Sequence, residues 1–156
     1  ILRDGRMDLS EDALAELDFV VGSVHSYMNL ETAEMTDRLM RSLESPSLKA
    51  FGHPTGRVLM HRDAYSYDFD SVAAAAAARG VWMEINSSPE RLDLHSSLIR
   101  RAHALGCRFV ISTDAHHPKH LSNITFGVRM ARRGWLTAAD VVNTLPLDAM
   151  LAAIAK

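Results

Sequence analysis

The fold is decided by a stretch that reads Phe109-Val110-Ile111-Ser112-Thr113-Asp114-Ala115-His116-His117. A short apolar run bounded by turn residues predicts a buried parallel strand, and in α/β folds the loops after such strands carry the chemistry. Asp114 and His116 are two residues apart, so an extended backbone would point both side chains to one side. A carboxylate oxygen beside an imidazole nitrogen is half of a site for a divalent cation. The alternative interpretation is that Asp114 caps the strand and His116 is a surface histidine.

The composition is that of an ordinary soluble globular protein. The chain has 156 residues, 47% of them hydrophobic and 23% charged, with a formal net charge of −2. This length allows one domain with a hydrophobic core and is short for two. Because there is no basic excess, contact with phosphates has to come from a local patch or from metal. The single cysteine, Cys107, excludes an internal disulfide and fits a reducing, cytoplasmic compartment. No apolar run approaches the roughly 18–20 residues that span a bilayer, so we expect no membrane partner.

Predicted strands and helices alternate along the chain. The apolar runs predict strands over residues 19–24, 48–52, 81–86 and 109–112. Helical patterns cover residues 32–43, 71–79, 96–105 and 124–133, and Pro146 opens a final amphipathic helix. We expect Ser71 to cap the alanine-rich helix and Gly80 to end it. This alternation predicts an α/β protein with a parallel, barrel-like sheet.

Each predicted strand ends in polar side chains. These residues are His25, His53, Glu84 with Asn86, and Asp114 with His116. One histidine after a strand is usually a packing or capping residue. Parallel strands, however, bring all their C-terminal ends to the same rim, so four such ends in series predict a metal site.

Four motifs together resemble the polymerase and histidinol phosphatase (PHP) domain. They are Ser23-Val24-His25-Ser26, Gly52-His53-Pro54-Thr55-Gly56-Arg57, Glu84-Ile85-Asn86 and Thr113-Asp114-Ala115-His116. The closer resemblance is to the version at the C-terminus of bacterial family X DNA polymerases. Arg91-Leu92-Asp93-Leu94 and Ala131-Arg132-Arg133-Gly134-Trp135-Leu136 are typical of that subgroup.

The resemblance implies a distorted seven-stranded β/α barrel with up to three Mn²⁺ or Zn²⁺ ions at its rim. Residues 1–156 match the C-terminal two-thirds or so of that domain as a single domain. The N-terminal strands, with their His-x-His pair and bridging Glu, are missing, so we expect an incomplete barrel. Its unpaired strand edge predicts self-association, pairing with the missing N-terminal part of the same polypeptide, or marginal stability.

The same resemblance assigns four metal ligands, which are also the expected catalytic residues. His25 and His53 resemble the pair that serves one metal ion, Asp114 resembles a ligand of a second, and His116 a ligand of a third. These are four of about nine ligands in the family. Since a metal needs a nearly complete shell to compete with water, we expect reduced occupancy.

Two residues are predicted to bind substrate. Arg57 matches no metal ligand, but it follows His53 closely enough to clamp a substrate phosphate as a bidentate donor. Asn86 is expected to reach the substrate, whereas Glu84 is expected to orient a ligand or pair with an arginine.

The resemblance implies metal-assisted hydrolysis of phosphoesters. In family X polymerases the domain resembles a 3′–5′ exonuclease that trims a DNA 3′ end, single-stranded or at a primer terminus, during repair synthesis. One alternative is a small-molecule phosphomonoesterase that hydrolyses a substrate such as histidinol phosphate. Another is a non-catalytic domain that stabilises or docks the polymerase.

Other polar and aromatic residues receive structural predictions. Arg38 is expected to point outward from the helix over residues 32–43, and Trp135 to be a core or junction aromatic. Arg132 and Arg133 would either contact DNA phosphates or form a solvated helix end. The remaining histidines are expected at the surface or in structural roles, namely His61, His95, His103 and His120.

Overall fold

Four parallel strands lie side by side in chain order, in a computed structural model that describes residues 1–155. They are β1 (Val20–Gly22), β2 (Leu48–Phe51), β3 (Trp82–Asn86) and β4 (Phe109–Ser112). The β3–β4 pair is in continuous register, from Met83 opposite Phe109 to Asn86 opposite Ser112. Because all four strands point the same way, their C-terminal ends lie along one edge, as the sequence predicted.

Six α-helices in the described part of the chain connect and flank the strands. They are α1 (Glu11–Ala15), α2 (Thr32–Ser42), α3 (Phe69–Arg79), α4 (Ser96–Ala104), α5 (Ile124–Arg133) and α6 (Leu147–Ile154). Short 3₁₀ turns occur at Pro118–Asn123, Ala138–Asp140 and Val142–Thr144. The predicted α/β alternation is confirmed. Within residues 1–155 the sheet is open and four-stranded, so the seven strands of a complete barrel stay a prediction, as does association with another chain.

The core lies between the sheet and its helices. All five residues of β3 are buried, as expected for a central strand covered on both faces. Ala73 and Ala76 of α3 are fully buried, and their small side chains allow the helix to lie close to its neighbours. The buried thiol of Cys107 donates a hydrogen bond to the Ala73 carbonyl oxygen at 3.2 Å. None of the helices in the described part of the chain has the length and apolar character to cross a membrane.

Helix α3 begins earlier than the sequence predicted. Asp68, not Ser71, is the N-cap, since its Oδ1 accepts the Ser71 backbone N–H at 3.1 Å. Ser71 lies inside the first turn, where its hydroxyl donates to Asp68 Oδ2 at 2.6 Å. Asp is as good a cap as Ser, and Phe69 supplies the first buried contact of the helix. The predicted end is confirmed, because Gly80 adopts a left-handed conformation with φ of 70°.

Trp135 was predicted to be a core or junction aromatic, and it lies at the junction after α5 and not in the core. Its side chain is 76% exposed and its backbone has φ of 67°. The neighbouring Gly134 packs against Ile99 of α4, while Leu136 is buried. Because the chain turns sharply between these two buried positions, the indole is directed to solvent.

Replacing Gly80 by alanine should lower the free energy of unfolding by about 1 kcal/mol, the cost of holding a Cβ in the left-handed region. A Cβ at this position meets no heavy atom of the described residues within 4 Å, so the cost is conformational. Urea unfolding of Gly80→Ala, with Gly80→Asn as the matched control, measures it. Asn tolerates the conformation and should cost less; equal losses for the two variants would contradict the backbone explanation.

Candidate functional site

His25 and His53 face each other across the ends of β1 and β2. Their Nε2 atoms are 3.1 Å apart, and the ring centroids are 5.0 Å apart. Two imidazole nitrogens that bind one ion at about 2.0–2.1 Å are roughly 3.0–3.4 Å apart. The observed separation fits that geometry, and it also fits a single N–H···N hydrogen bond in the absence of metal. The structure therefore brings together the two histidines that the sequence assigned to one ion.

The backbone of His53 is held in an unusual conformation. Its φ of 31° lies in the left-handed region, which is strained for a residue with a Cβ. Its backbone N–H donates to the Glu84 carboxylate, and its side chain is buried. Burial, reinforced by the charge of Arg91, lowers the pKa of His53 to about 4. The imidazole is therefore neutral at pH 7 and retains a lone pair that can bind a cation.

Glu84 connects three strand ends at the floor of this rim. Its Oε2 accepts the His53 backbone N–H and the Asn86 side-chain amide, the latter at 3.2 Å. Its Oε1 accepts the Ser112 hydroxyl at the end of β4. Burial raises the pKa of Glu84, although all three hydrogen bonds act in the opposite direction. As the sequence indicated, Glu84 orients the residues around it.

Asn86 lies beneath Asp114 and has no exposed surface. Its Nδ2 donates to Asp114 Oδ2 at 3.1 Å and to Glu84, while its Oδ1 accepts the Ser88 backbone N–H at 3.0 Å. This placement differs from the expected contact with substrate. The physical reason is that β3 is covered on both faces, so its last side chain is enclosed by the loops that follow β3 and β4.

Asp114 and His116 do not project together as an extended strand would require. Strand β4 ends at Ser112, and Asp114 has φ of 50°, which breaks the alternation of side chains. Asp114 Oδ1 is 4.0 Å from Nδ1 of His116, whose side chain is 82% exposed. That Nδ1 lies 2.8 Å from the Asp114 carbonyl oxygen instead. Within residues 1–155, no three His, Cys, Asp or Glu side chains form a group that could hold one ion.

Arg91 is a site residue to which the sequence interpretation gave no role. Its Nε donates to Asp114 Oδ2 at 3.1 Å, and both side chains are largely buried. Arg57, expected to clamp phosphate, instead donates from Nε to the Arg91 carbonyl oxygen at 2.8 Å and from Nη2 to that of Leu92. Arg57 thus fastens the loop that carries Arg91. The sequence could have identified Arg91 by its position, because it lies in the loop that follows β3, a strand with a polar C-terminal end.

Asp93 fixes the loop that carries His53. It is fully buried, and its Oδ2 accepts the backbone N–H groups of Thr55 at 2.9 Å and Gly56 at 3.0 Å. Burial raises its pKa to about 6, an effect that the Thr55 hydrogen bonds reduce. The hydroxyl of Tyr65 donates to the Pro54 carbonyl oxygen at 2.8 Å. The loop is therefore held by buried hydrogen bonds on both sides.

A buried arginine secures the segment after His25. Arg38 was predicted to point outward, but it is buried and donates only to backbone carbonyl oxygens. Its Nε donates to the Leu2 carbonyl oxygen at 2.7 Å, its Nη1 to that of Ser26 at 2.9 Å, and its Nη2 to that of Ile1 at 2.6 Å. The helical pattern alone could not reveal these acceptors, because they belong to segments distant in sequence from α2.

Replacing Asp93 by alanine should lower the free energy of unfolding by about 2–4 kcal/mol, because two buried backbone N–H groups lose their acceptor. Asp93→Asn retains one oxygen for the same N–H groups and should cost clearly less. Urea unfolding gives both values, and the ring-proton NMR signals of His53 report on the loop. An unchanged His53 environment in Asp93→Ala would contradict the positioning role.

The known proteins that are similar to this chain include a DNA polymerase and several probable phosphatases. No family model matches the sequence. The chain is 36% identical over 147 residues to the DNA polymerase/3′-5′ exonuclease PolX of Bacillus subtilis (strain 168). The aligned region covers 94% of this chain and 26% of that protein. It is 30% identical over 122 residues to a probable phosphatase of Shewanella sp. (strain ANA-3), covering 73% of this chain and 46% of that protein.

A third relative is also named as a probable phosphatase. A probable phosphatase of Thermoanaerobacter sp. (strain X514) is 23% identical over 150 residues, covering 90% of this chain and 59% of that protein. The chain thus spans between about a quarter and three-fifths of the length of these relatives. Nearly the whole chain is similar to one segment of PolX, which confirms the resemblance to part of a bacterial family X DNA polymerase; that this part is C-terminal stays a prediction.

Proposed function

We propose that this chain is part of a metal-dependent phosphoesterase domain, and that its parent protein is a 3′–5′ exonuclease acting on DNA ends during repair synthesis. By parent protein we mean a longer polypeptide of the kind that the resemblance implies, which would include the expected N-terminal strands. The observation that carries the proposal is the His25–His53 pair, whose Nε2 atoms converge at 3.1 Å on the C-terminal rim. Both classes of relative are named for the cleavage of phosphoesters, which supports the same chemistry.

The donor atoms on the rim suit a transition metal. His25 and His53 would hold one Mn²⁺ or Zn²⁺ ion, because imidazole nitrogens favour these over Mg²⁺. Asp114 and His116 would serve further ions, as the resemblance implies. Two nitrogens are too few for a stable shell, so the remaining ligands have to come from the rest of the polypeptide. When bound, such ions lower the pKa of water to near neutrality and neutralise charge on phosphoryl oxygens.

The protein's own residues would position the substrate and the ligands. Arg91 uses Nε on Asp114, which leaves other N–H groups of its guanidinium to donate to a phosphoryl oxygen. Glu84 and Asn86 hold the strand ends in place from below. His25 and His53 both have lowered pKa values, chiefly through burial, so they add no positive charge that would repel a cation at pH 7.

Metal binding by the chain should depend on the histidine pair. We expect His25→Ala and His53→Ala each to weaken Zn²⁺ binding at least tenfold, because either change leaves a single nitrogen. His61→Ala is the matched control, since His61 is an exposed loop histidine. Titration calorimetry with Zn²⁺ alone measures the affinities. Equal weakening in all three variants would contradict a site at the pair.

Exonuclease activity should require the parent protein. With Mn²⁺ and a 5′-labelled single-stranded DNA, we expect stepwise 3′ shortening by the parent, and little by this chain, which lacks several ligands. Within the parent, His53→Ala and His116→Ala should each lower the rate by about a hundredfold or more. Gel electrophoresis of the labelled products measures the shortening. An inactive parent with metal demonstrably bound would refute the exonuclease proposal.

A phosphomonoesterase is the second candidate, because several relatives are named as probable phosphatases. The parent protein should be assayed on histidinol phosphate and on the oligonucleotide under the same conditions. A higher kcat/KM for the monoester would favour this candidate. If neither substrate is hydrolysed, the non-catalytic polymerase domain becomes the better interpretation.

A further inference from the structure

Positive charge is concentrated in one part of this weakly acidic chain. Residues 94–139 contain seven Lys or Arg residues and a single acidic residue, Asp114, although the whole chain has a net charge of −2. Helices α4 and α5 belong to this segment and pack against each other. Four of these seven residues, namely Arg100, Arg129, Arg132 and Arg133, lie on these two helices without a salt bridge among the described residues, so the helix pair is a candidate for the local basic patch that the overall composition does not show.

This basic segment also contains an exposed tryptophan, Trp135. The guanidinium of Arg100 on α4 lies over the Trp135 ring, 4.7 Å from its centroid. Arg100 Nη1 also donates to the Arg133 carbonyl oxygen at 2.9 Å, at the end of α5. These contacts order the indole while leaving its side chain 76% exposed. An exposed indole beside arginines offers a flat ring on which a nucleic-acid base can stack.

The arginines around Trp135 are free of internal ion pairs. In the described part of the chain, Arg100, Arg129, Arg132 and Arg133 form no salt bridge with a carboxylate, whereas Arg101 on the same helix pairs with Asp70 at 2.8 Å. Arg129, Arg132 and Arg133 occupy the last turns of α5 and are exposed. We call Arg100, Arg129, Arg132, Arg133 and Trp135 the arginine–tryptophan surface.

The positive field extends from this surface toward the rim. The pKa of His95, at the start of α4, is lowered first by partial burial and then by the charges of Arg57, Arg133 and Arg100. Arg57 in turn holds the loop that carries Arg91, whose guanidinium contacts Asp114. Arg57, Arg100 and Arg133 therefore lie near His95, and Arg57 is linked through the Arg91 loop to the candidate site.

We propose that the arginine–tryptophan surface binds single-stranded DNA, with Trp135 stacking on a base and Arg100, Arg132 and Arg133 contacting phosphates. Basic grooves with aromatic platforms are the usual means of binding single strands without sequence preference. The free π-face of Trp135 favours a nucleic acid over an acidic peptide, which would need only the charges. The inference rests on the proposed exonuclease function, for which the surface would hold the strand whose 3′ end lies at the rim.

The test measures binding of the full 156-residue chain to a twelve-nucleotide oligo-dT in EDTA, which prevents cleavage. Fluorescence anisotropy of a 5′-labelled oligonucleotide measures the affinity of every variant. In the unsubstituted chain, quenching of intrinsic fluorescence by DNA also reports on Trp135, because Trp82 is buried and Trp135 exposed. We expect Trp135→Ala to weaken binding about tenfold and Trp135→Phe, which keeps a stacking ring, to weaken it much less. The double variant Arg100→Gln/Arg133→Gln should also lower the salt dependence by about 0.7 per lost phosphate contact.

Arg101→Gln is the matched control, because it removes a charge from the same helix but one already paired with Asp70. Thermal melting of every variant confirms folding. Unchanged DNA affinity in both Trp135→Ala and Arg100→Gln/Arg133→Gln would overturn the proposal. So would equally tight binding and equal quenching by poly-glutamate, which would assign the surface to an acidic protein.

A second measurement separates this inference from the proposed function. Hydrolysis of the small diester bis-p-nitrophenyl phosphate by the parent protein reports on the rim without needing a bound strand. Surface variants that retain this hydrolysis but shorten DNA more slowly support the inference. A parent that hydrolyses no phosphoester, yet binds oligo-dT through Trp135, refutes the proposed function and still supports the DNA surface. A surface change that abolishes hydrolysis of the small diester would overturn the inference, because it would place these residues in the catalytic site.

Discussion

The arrangement of the rim depends on one buried carboxylate. Glu84 accepts hydrogen bonds from the His53 backbone, the Asn86 side chain and the Ser112 hydroxyl, which come from the ends of β2, β3 and β4. A buried anion without such donors would be very costly, so the three strand ends have to converge on it. The same convergence determines where His53 and Asp114 can lie.

Around this carboxylate the chain forms two layers with different roles. In the buried layer, Asp93 and Asn86 hold the backbone of the site loops through hydrogen bonds. In the layer above it, His25 and His53 converge and Arg91 contacts Asp114. Placement of ligands by hydrogen-bonded groups beneath them is what metal and phosphate sites require. The positive φ values of His53 and Asp114 indicate that this placement is maintained against local strain.

The distribution of charge fits a protein that binds a polyanion, although its formal net charge is −2. Arg100, Arg129, Arg132 and Arg133 form no salt bridge among the described residues, whereas Arg3, Arg6 and Arg101, the last on α4 itself, form exposed ion pairs. Exposed ion pairs contribute little to stability, but they cancel the local field. Leaving the arginines near Trp135 unpaired preserves that field for an incoming phosphate chain.

The sequence by itself determined the α/β alternation, the four strands and their polar ends, because periodicity and turn residues act locally. It also placed His25 and His53 together, since parallel strands must share a rim. Only the tertiary structure decided that Arg57 fastens a loop while Arg91 contacts Asp114, and that Asn86 is enclosed. These outcomes depend on which loop packs over which strand end. Hydrogen bonds between segments some 30 residues apart therefore fixed the details that no local pattern contains.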